Sequence, residues 1–225
     1  MYDIVFISYN EPNADANYER LKTRFPLAKR VDGVQGIHQA HIAAAKRCFT
    51  KMFWVVDGDA EVLESFNFDY TPADDTTVHV WRSINPINGL EYGYGGVKLL
   101  PRQLTLKMNV NTTDMTTSIS EKFCAVPEIS NVTAFNTDAF STWRSAFREC
   151  VKLSSKTIDR QDHEETMQRL TAWLTHYPDK PFAQEAAAGA YDGREYGREN
   201  ASNQEALGLI NNFEWLKQRY QDSQS

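Results

Sequence analysis

Residues 52–56, Met-Phe-Trp-Val-Val, are apolar without a polar break, and Asp57-Gly58-Asp59 follows them directly. Aromatic and β-branched types favour a strand, and the lack of alternation predicts one covered on both faces. Residues 2–9 predict a similar first strand, with Ser8, Tyr9, Asn10 and Glu11 at its carboxyl end. Residues 27–31 predict a short second strand that runs into Asp32-Gly33. Helical spacing fills the gaps. Tyr18, Leu21 and Phe25 share a stripe over residues 17–25, and Pro26 stops it. Ile37, Ala40, Ala44 and Cys48 share another over residues 36–49. Strand, helix, strand, helix, strand, with polar residues at each strand's carboxyl end, is half of a doubly wound α/β fold, where ligands sit.

Beyond residue 62 the pattern loosens. Residues 69–77 are polar and predict a surface loop. Residues 77–84 alternate and predict a strand with one wet face, followed by a turn at residues 85–89. Tyr92-Gly93-Tyr94-Gly95-Gly96 combines a mobile backbone with flat hydroxylated rings. It fits a segment that stacks on sugars or bases, and equally a tight hairpin. Residues 109–120 predict a loop or flap, and residues 123–129 a short strand. The rest reads as helical. Residues 139–153 carry Phe140, Trp143, Phe147 and Val151 on one stripe behind a Thr137-Asp138 cap. Further helices are predicted over residues 162–176, 182–191 and 203–220, with a polar, glycine-punctuated loop at 192–200.

The chain has 225 residues, 41% hydrophobic and 24% charged, enough for one globular core. A net charge of −6 argues against nucleic-acid binding by bulk charge. Arg144, Arg148, Lys152 and Lys156 nevertheless recur every fourth residue, as a local basic groove or a merely solvated face. Three cysteines without metal spacing predict free thiols. No apolar run nears the roughly 18 residues of a membrane helix, and the first residues lack a basic signal region. A cytoplasmic, membrane-free location is expected. No glycine-rich dinucleotide fingerprint or Gly-Lys-Ser/Thr phosphate loop is present.

Asp57 and Asp59 carry the chemistry. Two carboxylates this close repel unless a cation or proton lies between them, and a hard dication, Mn²⁺ or Mg²⁺ shared with a phosphate, answers that need. A solvated Asp-Gly turn is the plain alternative. His38 and His41, three apart on a helix without a carboxylate partner, read as exposed or hydrogen-bonded. Arg194 and Arg198 suit a diphosphate clamp, or a solvated connector.

The strand Ile-Val-Phe-Ile-Ser-Tyr-Asn, the Asp ending the second strand, and the apolar run into Asp57-Gly58-Asp59 resemble the nucleotide-sugar half of GT-A glycosyltransferases. The resemblance covers about the first hundred residues. It implies a GT-A-like (Rossmann-like) α/β fold: a mixed, mainly parallel sheet flanked by helices, with a helical C-terminal part. A single domain of residues 1–225 is expected, with a nucleotide-sugar half (1–105) and an acceptor-side, helical half (106–225). It implies a metal on Asp59 and a sugar, ribose or metal contact at Asp57. Ser8, Tyr9, Asn10 and Asp32 become donor contacts, and Tyr94, Gly95 and Gly96 shape the sugar pocket. Val97-Lys98 stands where related segments often carry an acidic base, so the base is unassigned. A third metal ligand is sought among His163, His176 and Asp192, with His176 set beside Asp57 and Asp59. Asp57, Asp59 and Arg194 form the catalytic set, and Arg198 joins the donor set.

The segments Asn-Pro-Ile-Asn-Gly-Leu-x-Tyr-Gly-Tyr-Gly-Gly and Phe-Asn-Thr-x-x-Phe-x-Thr-Trp-Arg are similar to small glycosyltransferases of tailed bacteriophages. That similarity implies a nucleoside-diphosphate sugar as donor, UDP-linked for preference. It also implies hydroxymethylated pyrimidine in DNA as an acceptor. The rivals are a sugar-phosphate nucleotidyltransferase and a nonenzymatic adaptor.

Overall fold

The computed structural model describes all residues except 93–94, 113–114, 157–161, 176 and 225, and the side chain of Tyr92. Chain contacts divide it into two compact units. The first holds Met1–Asn85 and Glu91–Ala134, the second Pro86–Leu90 and Phe135–Ser225.

The first unit is a mixed sheet with helices on both faces. Its elements in order are β1 (Asp3–Ser8), α1 (Ala14–Arg24), β2 (Lys29–Asp32), α2 (Ile37–Lys46), β3 (Met52–Asp57), β4 (Ala60–Val62), β5 (Val78–Ile84), β6 (Glu91–Tyr92), β7 (Val97–Pro101), α3 (Arg102–Leu106), α4 (Met115–Ile119) and β8 (Phe123–Thr133). The sheet order is β2-β1-β3-β7-β5-β8-β4, with β6 on β5. Parallel pairing holds for β2-β1-β3 and for β5 with β8. It does not hold further. The chain returns through β7, which runs antiparallel to both β3 and β5, and β4 and β6 are also antiparallel to their partners. Among the described residues three strand pairs are parallel and four antiparallel, so the expected mixed sheet is present but is not mainly parallel.

The unbroken apolar runs are explained by two cores. Ile4, Phe6, Met52, Trp54 and Val56 point to the side covered by α1. Val5, Phe53 and Val55, the residues between them, point to the side covered by α2 and α4. The period of two is present in direction, and both directions are apolar. The predicted wet face of β5 is corrected on the same ground: of its seven residues only Arg82 is exposed. An aromatic cover does this. Phe66, Phe68 and Tyr70 pack edge-on against Trp54 and Trp81, and Tyr70 also covers His79. The predicted strand 123–129 extends to Thr133, with register shifts opposite Arg82. A short helix, α4, lies inside the predicted 109–120 loop.

His41 is 2% exposed, and its Nδ1 sits 2.8 Å from the Ile37 carbonyl. Burial, aided by the positive Lys98 nearby, pushes its pKa down to about 3. An unfolded histidine titrates near 6.5. The folded value is the lower one, so this contribution to stability is complete above about pH 6.5. It is lost as pH falls from there toward 3. His41→Leu should flatten that part of the profile, read as urea midpoints at pH 7, 5 and 4. A wild-type slope retained in the variant would contradict the assignment.

The second unit is helical: α5 (Ala139–Ser154), α6 (His163–Leu174), α7 (Ala183–Glu199), α8 (Gln204–Gly208), a 3₁₀ turn (Leu209–Asn211) and α9 (Phe213–Ser223). Asp138 caps α5 by accepting from the Ser141 N–H, as the sequence predicts. The predicted closing helix 203–220 is broken instead, because the Asn212 side chain caps a new helix through the Trp215 N–H. The predicted loop 192–200 is corrected to the last turns of α7. Gly189, Gly193 and Gly197 recur every fourth residue there, against the backbone at Trp143, Phe147 and Val151 of α5. The two helices thus run in the same direction, and missing side chains let them touch. Cys48, Cys124 and Cys150 are free thiols. Among the described residues no helix is long and apolar enough to cross a membrane.

Candidate active site

In the first unit, the polar ends of β1, β2 and β3 meet at one sheet edge, and β7 begins beside them. Asp57 is the last residue of β3, and its N–H donates to the Gly96 carbonyl at 2.9 Å. Lys98 lies opposite Val55 in the antiparallel β3–β7 ladder. Side chains two apart share a face, so Lys98 is diagonal to Asp57. Its ammonium donates to both Asp57 carboxylate oxygens, at 2.7 and 2.8 Å. The Lys98 side chain is 5% exposed and that of Asp57 34%. Burial pushes the Asp57 carboxyl up, Lys98 pulls it down, and Glu11 adds to the upward push; the balance is upward.

Gly58 makes the turn possible. A Cβ there would lie 2.6 Å from Oε2 of Glu11. That Glu11 oxygen also accepts the Tyr9 N–H at 2.8 Å. The Asn17 side chain donates to the Gly58 carbonyl at 2.9 Å and fixes the turn from α1. Asp59 follows, half-buried, and its carbonyl accepts the Ala134 N–H. Across the β3–β7 seam, Gly95 has a φ of +75°, open to glycine and strained for other residues. Gly96 abuts Asn131, where a Cβ would sit 2.6 Å from Nδ2. Asn131 is fully buried and accepts from Ser83 and Ser130.

The structure brings Tyr9, Asp32, Asp57, Gly58 and Gly95–Gly96 to this edge, with Tyr9, Asn10 and Asp32 exposed. Ser8 differs from expectation. It is 2% exposed, its hydroxyl donates to Asp32 Oδ1 at 2.6 Å, and it accepts from Arg30 Nε at 2.9 Å. The Ser8 hydroxyl therefore holds Asp32 in place. Lys98 and Glu11 were not in the predicted set. The signal for Lys98 was a lone charge inside an apolar strand, Val97-Lys98-Leu99-Leu100.

Tyr94 and His176 lie outside the described residues. The other two proposed third ligands belong to the second unit. Asp192 is gripped through both oxygens by Arg219, and His163 stands at the first turn of α6. Among the described residues no three His, Cys, Asp or Glu side chains gather around a metal-sized position. Both Asp57 oxygens already hold an ammonium, so Asp57 is engaged before any Mn²⁺ or Mg²⁺ arrives; Asp59, the metal ligand the resemblance implies, lies half-buried two residues on. The need for a cation stands; Lys98 meets it at Asp57.

Arg194 and Arg198 belong to the second unit. They line a cavity of about 510 Å³ with Lys152, Lys156 and His163, over an apolar floor that includes Leu170 and Leu174. Arg194 Nε donates to Glu195 at 2.7 Å, and Arg198 lies 3.9 Å from the same carboxylate. The predicted basic row splits. Arg144 stacks on Phe140 and Phe213, Arg148 donates to Asn211, and only Lys152 and Lys156 reach this cavity.

No protein-family model matches the sequence, and no curated protein matches it. Among solved structures, the chain is similar to a glycosyltransferase involved in glycosylation of the major capsid of PBCV-1. The match has 13% identity over 55% of this chain and 81% of that one, with a TM-score of 0.34. It is also similar to the mannosyltransferase PcManGT from Pyrobaculum calidifontis, solved with GDP-Man and Mn²⁺. There the identity is 11% over 100% of this chain and 82% of that one, with a TM-score of 0.45. Both are distant likenesses of backbone, and neither assigns a role to a residue here.

Proposed function

We propose that the first unit binds a nucleoside-diphosphate sugar and that the protein transfers the sugar to an acceptor hydroxyl. One observation carries this reading. The carboxyl ends of three parallel strands bring Asp32, Tyr9 and the Asp57-Gly58-Asp59 turn to one edge, beside a buried lysine and two glycines. Ligands of open α/β sheets sit at such edges. Tyr9 offers a flat ring for a base, and Asp32, steadied by Ser8 and Arg30, offers a carboxylate to ribose hydroxyls. Gly58 and Gly96 let the Glu11 and Asn131 side chains pack directly against the backbone of the edge and hold it in shape. When the sugar–phosphate bond breaks, negative charge grows on the departing diphosphate, and a nearby fixed cation stabilises it.

The clamp role expected of Arg194 and Arg198 is not part of this reading: Arg194 is paired with Glu195 at 2.7 Å, and both arginines belong to the second unit. The Mn²⁺ or Mg²⁺ expected from the sequence is not part of this reading. The donor is UDP-linked for preference. Hydroxymethylated pyrimidine in DNA is the first acceptor to try, on the strength of the sequence similarity alone.

The test is turnover of UDP- and GDP-sugars, followed as released nucleoside diphosphate, with hydroxymethylated DNA, unmodified DNA or water as acceptor. Release from at least one sugar nucleotide is expected, weakest with water. No release from any of them would remove the transferase reading, and sugar in neither DNA would remove that acceptor.

A further inference from the structure

We propose that the Lys98 ammonium replaces the divalent cation at this edge, so that a nucleoside diphosphate binds without a metal. The inference rests on the nucleotide-sugar reading above and concerns how the same site carries its positive charge.

Three features support it. First, the pair is built into the sheet. Lys98 stands on β7 and Asp57 ends β3, neighbouring strands whose register sets the two side chains diagonally on one face. Second, the pair resists exchange. A lysine only 5% exposed is costly to leave uncompensated, so a metal taking the Asp57 oxygens would strand an ammonium in the core. The Gly95 backbone also packs against the lysine stem, for a Cβ there would lie 3.0 Å from Lys98 Cε. Third, donors remain. An ammonium has three N–H groups, and two are spent on Asp57, which leaves one for a phosphate oxygen. Glu11 flanks the same turn, and against its carboxylate an incoming diphosphate needs a fixed positive charge. Lysine serves phosphates as a point charge, and a charge-assisted hydrogen bond in a buried place is stronger than a neutral one.

Calorimetric titration of the full chain tests this, with UDP, GDP, ADP, CDP and dTDP, each in EDTA and in saturating Mn²⁺. Wild type is expected to bind at least one nucleotide in EDTA, with an affinity that Mn²⁺ alters less than about threefold. Lys98→Met should bind it at least about tenfold more weakly in EDTA, the loss expected of one charge-assisted hydrogen bond. Lys98→Arg should keep most of the affinity. Lys98→Met strands the Asp57 carboxylate, so Lys98→Met with Asp57→Asn is measured beside it after circular dichroism confirms its fold. That pair should also lose binding in EDTA. Mn²⁺ alone should bind wild type at least about tenfold more weakly than Lys98→Met, where Asp57 is released.

Nucleotide binding that requires Mn²⁺ in wild type, or full affinity in folded Lys98→Met, would overturn the inference and leave the nucleotide-sugar reading standing. No binding of any of these nucleotides in either buffer would overturn both.

Discussion

Asp57→Ala is expected to lower sugar-nucleotide turnover about 10²–10³-fold, the scale of losing one preorganised group in an active site. It should also destabilise the first unit. The substitution leaves Lys98 buried without its partner, and breaking a buried pair costs about 3–5 kcal/mol. Asp57 is one-third exposed, so water partly compensates, and about 2–4 kcal/mol is the expected loss. In a Lys98→Met background the same Asp57→Ala change should cost less than about 1 kcal/mol, because no charge is then stranded. Urea titrations of the four proteins give the coupling directly. Additive losses would mean that the two groups do not depend on each other, and the site's electrostatics would need another explanation.

The second large effect lies in the helical unit and should leave the sheet edge untouched. Gly193→Ala places a methyl group well inside contact distance of the Phe147 carbonyl oxygen, and the obstacle is backbone that cannot rotate away. Overpacking costs about 1–3 kcal/mol, against about 1 kcal/mol gained from alanine's helix propensity. The backbone clash puts the cost at the upper end, for a net loss of about 2 kcal/mol and a Tm lower by roughly 5–15 °C. Gly193→Val should be worse. Gly208→Ala is the control: nothing lies within 4 Å of the added Cβ and the residue is already helical, so stability should hold or rise slightly. Thermal melts of the three variants decide it. A Gly193→Ala protein as stable as wild type would mean that α5 and α7 stand further apart than described.

How far the chain could be read depended on how local the cause was. The first three strands and the helices between them were legible, because each apolar residue pointed to one of two cores near it. The Asp138 cap was legible for the same reason. The end of α7 was not. Gly193 and Gly197, with their charged neighbours, looked like a loop, although their four-residue spacing is also that of a helix contact face. The wet face assigned to β5 failed because Phe66, Phe68 and Tyr70 come from outside that strand.

The candidate site shows the same division. That the Asp57–Asp59 turn requires a cation followed from charge alone. That Asp57 receives it from Lys98 did not, since the two are 41 residues apart and meet only through the antiparallel register of β3 and β7. Ser8 was placed correctly at the edge, yet its hydroxyl turns inward to Asp32.

The central claim is that the edge formed by β1, β2, β3 and the start of β7 is where a sugar nucleotide binds. Backbone amide shifts recorded by NMR during a UDP-sugar titration, repeated with the GDP-sugar, test it most directly. The expected result is saturable shifts at Ser8–Glu11, Asp32, Asp57–Asp59 and Gly95–Lys98 with at least one donor. Saturable shifts confined to other residues, or none with either donor, would contradict it.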